Sequence, residues 1–518
     1  MLVKTYGSAV CGVDAYTIEM EVDLSTPFGF ALVGLPDNAV RESKDRIMTA
    51  IKNVGYEWPR LKLTINMAPA SIRKEGAAFD LGLAIGVLAA SRQIRADEIG
   101  KYMMMGEVSL DGTLKPVKGV LPMAVQARKE KFKGIILPAE NAFEAAIVNN
   151  LEVIPVQNLR EAIGFLNGSG PITPVTQDTR LIFENARQCS TVDFADVSGQ
   201  IIAKRALEVA AAGGHNVIMV GPPGAGKTML AKRISTILPP LTTAEALEST
   251  KIHSVAGKLG NHATLMAQRP FRSPHHTTSG VALVGGGGIV PQPGEISLAH
   301  NGVLFLDEFP EFDKRVLEVL RQPLEDRKVT VSRARFSVDY PANFMLLASM
   351  NPCPCGFSSH PERRCVCSPM QVSRYFSKVS GPMLDRIDIH VEVQPVKFED
   401  MMSGRRGDPS DTIRQRVEAA REIQARRFQA YPEIHCNAMM SSSMVREFCQ
   451  VDQAGANLLE LAMKKLGLSA RAYDRILKVA RTMADLSDSA CINNSHLAEA
   501  IQFRLLDRPA FVNPNAAA

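Results

Sequence analysis

A glycine-rich stretch between an apolar run and a helical run constrains the fold of this chain more than any other feature. NVIMVGPPGAGKTMLAKRISTIL, residues 216–238, carries the spacing Gly-x-x-x-x-Gly-Lys-Thr. Its three glycines let the loop turn backbone N–H groups inward around phosphates, and the N-terminus of the following helix adds partial positive charge. Lys227 can then reach the β and γ phosphates, and the Thr228 hydroxyl can bind Mg²⁺. An incidental glycine-rich turn is the alternative, but both flanks favour a P-loop in an α/β domain.

A second apolar run ends in two acids. NGVLFLDEF, about 80 residues after the P-loop lysine, predicts a buried central strand that ends at Asp307 and Glu308. Asp307 is suited to hold Mg²⁺ through water, and Glu308 to polarise the attacking water. An ordinary strand end is the alternative, and the preceding P-loop favours the catalytic interpretation. The predicted nucleotide-binding residues are Gly221, Pro222, Pro223, Gly224, Ala225, Gly226, Lys227, Thr228, Met229 and Asp307.

Three more polar residues follow these motifs in order. Asn351 ends the apolar run NFMLLASMNP, and Arg386 precedes the strand-like run of GPMLDRIDIHVEV. Arg471 lies at the start of the helical stretch in LSARAYDRILKVARTMADL. Each has an ordinary alternative, a strand-end cap or a surface arginine. Their order after the two nucleotide motifs is what selects them as candidates.

This ordered set resembles the AAA+ ATPases, and within them the magnesium-chelatase and MCM helicase clade. The resemblance implies that ATP and Mg²⁺ are the ligands and that Lys227 and Glu308 belong to the catalytic set. It further implies that Asn351 is the sensor-1 residue, Arg386 an arginine finger offered to a neighbouring subunit, and Arg471 the sensor-2 arginine. A finger that acts in trans implies a ring, and we expect a homo-hexamer.

Two further stretches fit the same clade. The glycine-rich segment from RPFRSPHHTTSG to SLAHNG lies where the clade carries its helix-2 insertion, although an ordinary surface loop is the alternative. EDRKVTVSRARFSVDYPANF predicts a hairpin with Arg333 and Arg335 near its turn. In MCM-like motors the comparable hairpin carries a basic residue into the central channel. The resemblance therefore implies contacts of Arg333 and Arg335 to DNA phosphates.

The N-terminal part resembles another family. GEVSLDGTLKPVKGVLPMAVQARKEKFKGIILPAENAFEA is similar to the Lon protease catalytic domain, and RKEGAAFDLGLAIGVLAA to its nucleophile loop. A Ser–Lys protease needs a hydroxyl nucleophile and an amine that takes its proton. The nucleophile position falls on Ala78 and the base position on Leu121, while nearby Lys118 lacks a nucleophile to activate. We therefore expect a Lon-like domain without proteolytic activity.

The whole chain resembles the ComM/YifB family. The implied architecture is α/β and multidomain: a Lon-like α+β domain of the ribosomal protein S5 domain 2 type at 1–167, a linker at 168–190, an AAA+ domain at 191–395 and a helical lid domain at 396–518. The implied activity is ATP-driven branch migration of DNA junctions in recombination and natural transformation. The implied partners are single-stranded, duplex or branched DNA and recombination proteins. The alternatives are the motor subunit of a metal chelatase and a nucleotide-gated scaffold.

Composition bears on the compartment more than on the activity. A net charge of +5 permits nucleic-acid binding but is too mild to argue for it. The longest apolar stretch, FDLGLAIGVLAA, is too short and glycine-rich to span a bilayer, and the N-terminus has no basic segment followed by an apolar run. Five cysteines are scattered singly, as in a reducing compartment. We expect a cytoplasmic protein without a membrane partner.

The other four cysteines form two Cys-x-Cys pairs in NPCPCGFSSHPERRCVC. In an extended chain, residues two apart point to the same face, so Cys353 with Cys355, and Cys365 with Cys367, each form a pair of thiolates. One hairpin that joins the pairs predicts a closed tetrahedral Zn²⁺ site with no position for a substrate water. His360 as a replacement ligand, free thiols and a redox pair stay open as alternatives.

Overall fold

The computed structural model describes residues 2–188, 192–259, 265–287, 291–333, 336–358, 360–396, 407–504 and 506. Its elements form an N-terminal mixed sheet with helices, a central parallel sheet with helices, and a C-terminal group of helices. Among the described helices, none combines the length and the apolar character needed to cross a bilayer.

The N-terminal region is built on a seven-stranded sheet with the order β3-β4-β2-β1-β5-β8-β9. Strands β1, β2 and β4 pair antiparallel, while β3–β4, β1–β5, β5–β8 and β8–β9 pair parallel. The strands are β1 Val3–Cys11, β2 Asp14–Ser25, β3 Gly29–Val33, β4 Lys62–Ala68, β5 Tyr102–Met104, β6 Glu107–Val108, β7 Leu114–Lys115, β8 Gly134–Pro138 and β9 Glu152–Val156. The helices are α1 Asn38–Val54, α2 Asp80–Ala90, α3 Val120–Lys129, α4 Ala142–Ala145 and α5 Leu159–Leu166.

Helix α2 explains the glycines of the apolar stretch. All eleven of its residues are buried, so it is a core helix of the N-terminal region. A Cβ added at Gly82 would lie 2.5 Å from Met20 Cε, and one at Gly86 would lie 2.8 Å from Val22 Cγ2. The two glycines therefore permit close packing of α2 on strand β2.

The segment predicted as a linker contains helix α6, Thr179–Gln188. Before it, the Val175 N–H donates to the Val153 carbonyl of β9 at 2.9 Å. Ile172, Val175 and Ile182 pack against the N-terminal core. This part of the chain thus lies on the N-terminal sheet.

The central region has a five-stranded parallel sheet with the order β11-β14-β17-β10-β18. Two antiparallel ribbons, β12–β13 and β15–β16, accompany it. The strands are β10 Val217–Val220, β11 Phe271–Arg272, β12 Gly285–Gly286, β13 Gln292–Pro293, β14 Val303–Leu306, β15 Lys328–Arg333, β16 Phe336–Pro341, β17 Met345–Met350 and β18 Ile389–Glu392. The helices are α7 Ile201–Gly213, α8 Lys227–Ile237, α9 Thr243–Val255, α10 Gly280–Val284, α11 Glu295–Leu298, α12 Lys314–Val319, α13 Arg321–Asp326, α14 Pro369–Phe376 and α15 Gly381–Leu384.

The three middle strands of this sheet place the predicted motifs at one edge. Every residue of β10, β14 and β17 is buried, as their uninterrupted apolar runs predict. The P-loop follows β10, Asp307 follows β14, and Asn351 follows β17. Because carboxyl ends of parallel strands meet at one edge, these groups face a common crevice.

The C-terminal region is helical, as its sequence periodicity predicts. Its helices are α16 Ser410–Arg427, α17 Ser442–Phe448, α18 Gln453–Leu466, α19 Ala470–Leu486 and α20 Asn494–Gln502. Arg475 of α19 forms an ion pair with buried Asp388, just before β18, and Asp388 also lies 3.5 Å from His215. The arginine holds the pKa of Asp388 well below its usual range against the effect of burial. This network joins the helical region to the central sheet.

Candidate functional site

The P-loop lysine is folded back on its own loop. Lys227 begins α8 after Gly226, which adopts φ 91° and so uses the conformational freedom of glycine. The Lys227 ammonium donates to the carbonyls of Gly221 at 2.7 Å and Pro222 at 3.0 Å, and to Asn351 Oδ1 at 3.1 Å. Burial lowers the pKa of Lys227, and nearby Asp307 and Glu308 oppose that shift. The lysine is thus a preorganised cation whose donors can transfer to phosphate oxygens.

A hydroxyl and a carboxylate meet beside this lysine. The Thr228 hydroxyl donates to Asp307 Oδ2 at 2.8 Å, and the Ser349 hydroxyl bonds the other oxygen of Asp307. Hydroxyl and carboxylate oxygens are the ligands that Mg²⁺ prefers, so Thr228 and Asp307 fit a magnesium ion. Ser349, on the strand that precedes Asn351, orients the carboxylate.

These groups line one cavity of about 420 Å³. Its wall is formed by residues 223–229 of the P-loop and helix α8, Asp307 and Glu308, and residues 349–351. The structure therefore brings together the P-loop, the two acids after β14 and Asn351, which are distant in sequence. An anion at the P-loop, a divalent cation at Asp307 and a water near Glu308 can share this space.

His276 is a residue of this site that sequence reasoning missed. Its Nδ1 lies 3.3 Å from Glu308 Oε2, and its ring stacks on His275 with a centroid distance of 4.1 Å. Glu308 adopts φ 53°, and its side chain is 56% exposed; His276 is the basic side chain beside it among the described residues. The dipeptide His275–His276 inside the predicted insertion is the sequence signal. Strand β11, which pairs with β14 and so brings His276 beside it, has only two residues, too few to show a periodic pattern in the sequence.

Gln200 is a second residue that the sequence did not single out. Its side-chain amide donates to the P-loop carbonyl of Ala225 at 3.2 Å and to the Gln394 carbonyl at 2.5 Å. It thereby links the start of α7 and the chain after β18 to the P-loop. Exposed Ile201 and Ile202 follow it.

The two candidate arginines do not line the cavity of their own chain. Arg386 is buried and forms an ion pair with Glu325. Arg471 is exposed in the first turn of α19, whose N-terminus is capped by Ser469. Neither residue belongs to the wall described above.

Comparison with known proteins places this geometry in a family. The profile described as magnesium chelatase, subunit ChlI, matches residues 193–401, and related ChlI profiles match residues 18–141 and 407–504. Competence protein ComM of Haemophilus influenzae is 44% identical over 510 residues, which are 98% of each chain. The YifB protein of Escherichia coli is 44% identical over 504 residues, 96% of each chain.

The chain belongs to the ComM/YifB family of magnesium-chelatase-like AAA+ proteins. The predicted fold class is confirmed: an AAA+ α/β domain is combined with a helical C-terminal domain and a Lon-like N-terminal region. Membership implies ATP and Mg²⁺ as ligands. The cavity offers matching groups for both.

The Lon-like region of this ComM/YifB protein carries Ala78 and Leu121 at the positions predicted for the protease nucleophile and base. Lon protease 2 of Bacillus subtilis is 29% identical over 124 residues, 23% of this chain and 22% of that protein. Ala78 and Lys118 line a second cavity of about 520 Å³, whereas Leu121 is buried. The Leu121 N–H donates to the Glu144 carboxylate at 2.8 Å, and Ser254 of α9 bonds the same carboxylate. Glu144 therefore connects helix α3 of the Lon-like region to α9 of the AAA+ domain.

The four paired cysteines converge on one point. Cys353 Sγ lies 3.3 Å from Cys355 Sγ and 3.6 Å from Cys365 Sγ, and all four sulfurs, including Cys367, lie within 4.8 Å of one another. These separations exceed the ~2.05 Å of a disulfide and approach the ~3.8 Å edge of a zinc–thiolate tetrahedron. The converging set consists of the four cysteines. His360 Nδ1 instead accepts backbone N–H groups of neighbouring residues. Four thiolates therefore fit one Zn²⁺.

The cysteine loop touches the nucleotide site. A Cβ added at Gly356, φ 84°, would lie 2.5 Å from Pro223 Cδ of the P-loop. Burial raises the pKa of Tyr375 on α14, and the backbone of Asn351 is hydrogen-bonded to its hydroxyl group. The cysteine loop and α14 thus flank Asn351 and support it from outside the cavity.

The predicted hairpin is present as β15–β16. Val331 pairs with Val338, and Arg333 pairs with Phe336 at the end of the ladder. Arg335 lies outside the described residues, as does the side-chain environment of Arg333. Gly12 of the β1–β2 turn packs against Val338, so the Lon-like region contacts this hairpin directly.

Proposed function

We propose that this ComM/YifB protein is an ATP-driven hexameric motor that translocates on DNA and drives branch migration in recombination or natural transformation. The observation that carries the proposal is the shared cavity of the P-loop, Asp307, Glu308 and Asn351, which has the groups required for ATP hydrolysis. Full-length similarity to a protein named competence protein supports the biological setting.

The mechanism follows from the groups of the cavity. Lys227 and the P-loop N–H groups would hold the β and γ phosphates, and Thr228 with Asp307 would hold a Mg²⁺ ion, which would supply charge neutralisation. Glu308 accepts a proton from the attacking water, and Asn351, already bonded to Lys227, fixes the γ-phosphate end of the site. His276 lies 3.3 Å from Oε2 of Glu308, which leaves Oε1 to accept that proton.

The proposed ring follows from the arginines. Because Arg386 lies outside its own cavity, we propose that it acts on the nucleotide of an adjoining copy once it leaves Glu325, and that Arg471 serves as the sensor-2 arginine. The β15–β16 hairpin, with Arg333 and Arg335 at its end, is proposed to contact DNA phosphates in the channel of the ring.

DNA is expected to stimulate ATP hydrolysis severalfold, because translocation couples hairpin contacts to the nucleotide cycle. Hydrolysis is measured without DNA and with single-stranded, duplex and branched DNA, and movement of labelled four-way and three-stranded junctions is followed in parallel. A chain that hydrolyses ATP but moves neither junction contradicts the motor proposal. That result favours a chelatase motor, which the three ChlI profiles also support.

We further propose that Cys353, Cys355, Cys365 and Cys367 hold a structural Zn²⁺. Elemental analysis of purified protein is expected to give about one zinc per chain, since four thiolates complete a tetrahedral site. Cys365→Ser should reduce the zinc content to near zero, whereas Cys449→Ser, at a buried single cysteine, should not. A zinc-free wild-type chain purified without chelators would exclude the metal.

A further inference from the structure

Arg386 is held against its own chain by an ion pair and a hydrogen bond. Its side chain is 7% exposed, and its Nη2 lies 2.5 Å from Oε1 of Glu325, which is 48% exposed. Nη1 donates to the Pro382 carbonyl at 2.6 Å, and buried Nε has no hydrogen-bond partner among the described residues. One solvent-facing carboxylate thus supplies the only ion pair that the described residues give this guanidinium.

The backbone beneath Arg386 is fixed independently of that ion pair. The Asn216 side-chain amide donates to the Arg386 carbonyl at 3.1 Å and accepts from the Leu346 N–H at 2.9 Å. The Asp388 N–H donates to the Asn216 carbonyl at 3.0 Å. Loss of the Glu325 contact therefore frees the Arg386 side chain without displacing the turn between α15 and β18 that carries it.

Glu325 has other cations within its surroundings. It lines a cavity of about 290 Å³ together with Arg327, Asp388, Arg475 and Lys478. Asp388 is already paired with Arg475. Arg327 donates to Asn343, and Lys478 donates to the Ala438 carbonyl at 3.2 Å, so both cations are hydrogen-bonded to neutral oxygens. When Glu325 leaves Arg386, its charge can be compensated inside the same cavity.

We propose that Glu325 is a latch that keeps Arg386 against its own chain until an adjoining copy presents a bound nucleoside triphosphate. This inference rests on the proposed trans-acting ring. A triphosphate carries more charge than one carboxylate and accepts several guanidinium hydrogen bonds, so it outcompetes Glu325 for Arg386. An isolated chain then stays latched, and assembly around ATP opens the latch.

The test is the rate of ATP hydrolysis per chain as a function of protein concentration. Glu325→Gln keeps the shape of the side chain but removes the charge that holds Arg386. We expect the protein concentration at half-maximal rate to fall about threefold or more, with the plateau rate within twofold of wild type. Glu98→Gln, which removes a paired carboxylate of similar exposure from the N-terminal region, is the matched control and should leave both values unchanged.

Two results would overturn the latch. One is an unchanged half-maximal concentration for Glu325→Gln, and the other is a plateau that falls to the level of Arg386→Ala, which would make Glu325 a support for the active arginine. In the double variant Glu325→Gln/Arg386→Ala, the fall in the half-maximal protein concentration must vanish, because Arg386 mediates it. A wild-type chain without ATP hydrolysis would instead refute the proposed function itself, so the two failures are distinguishable.

Discussion

Replacement of Glu308 by glutamine should leave ATP binding intact and lower the rate of ATP hydrolysis by about a hundredfold or more. Glutamine keeps the size of the side chain and its contact to His276, but it cannot accept the proton of the attacking water. The phosphate and magnesium ligands, Lys227, Thr228 and Asp307, are untouched by the change. Nucleotide affinity and single-turnover hydrolysis, measured on the same preparation, separate the two effects.

Glu311→Gln is the matched control for this experiment. Glu311 lies three residues after Glu308, pairs with Lys378 and does not line the nucleotide cavity. The control removes the same charge from the same segment, so its hydrolysis rate should remain close to that of wild type. Near-normal turnover of Glu308→Gln would refute the assignment of Glu308 as the base.

Local sequence predicted the parts of the site that depend on short, regular patterns. Strands β10, β14 and β17 are uninterrupted apolar runs, and each is followed at once by its functional group. The topology of a parallel sheet then brings the three strand ends together without further information. For the same reason the sequence predicts that Lys227, Asp307, Glu308 and Asn351 lie close together.

Contacts between segments without periodicity could not be predicted. His276 reaches Glu308 because the two-residue strand β11 pairs with β14, and so short a strand leaves no pattern in sequence. The Glu325–Arg386 ion pair joins helix α13 to the turn before β18, and nothing in either local sequence indicates it. Gly356 illustrates the same limit, since its motif predicts a metal site but not its packing on Pro223.

The composition of segment 168–190 does not predict the helix that the segment contains. Its first residues are rich in glycine, proline and threonine, which indicated a linker. The second half, TRLIFENARQ, nevertheless forms helix α6. Its apolar residues Ile182 and Phe183 pack against the N-terminal core, so tertiary packing supplies the stability that an isolated ten-residue helix lacks.

Arg386→Ala is expected to retain ATP binding and to lower hydrolysis by about a thousandfold, because an arginine finger neutralises charge that develops on the transferred phosphate. Retained binding follows from the position of Arg386 outside its own cavity. Arg128→Ala, at an exposed arginine near the end of α3, controls for the loss of a surface cation and should hydrolyse ATP normally. Equilibrium nucleotide binding and steady-state hydrolysis test both expectations.

Mixtures of Arg386→Ala with wild type distinguish a shared site from a self-contained one. If each site is completed by the next chain, a variant subunit inactivates the site of its neighbour while its own site can still receive a wild-type arginine. Coordination around a ring then depresses activity below the fraction of wild-type chains. Mixtures of wild type with Glu308→Gln should also fall below that fraction, because Glu308→Gln removes the base from its own site. Only Arg386→Ala, however, should regain hydrolysis at its own site when wild-type chains are added in excess. Absence of that regained hydrolysis would show that Arg386 serves its own chain, where its burial against Glu325 would then be its final position.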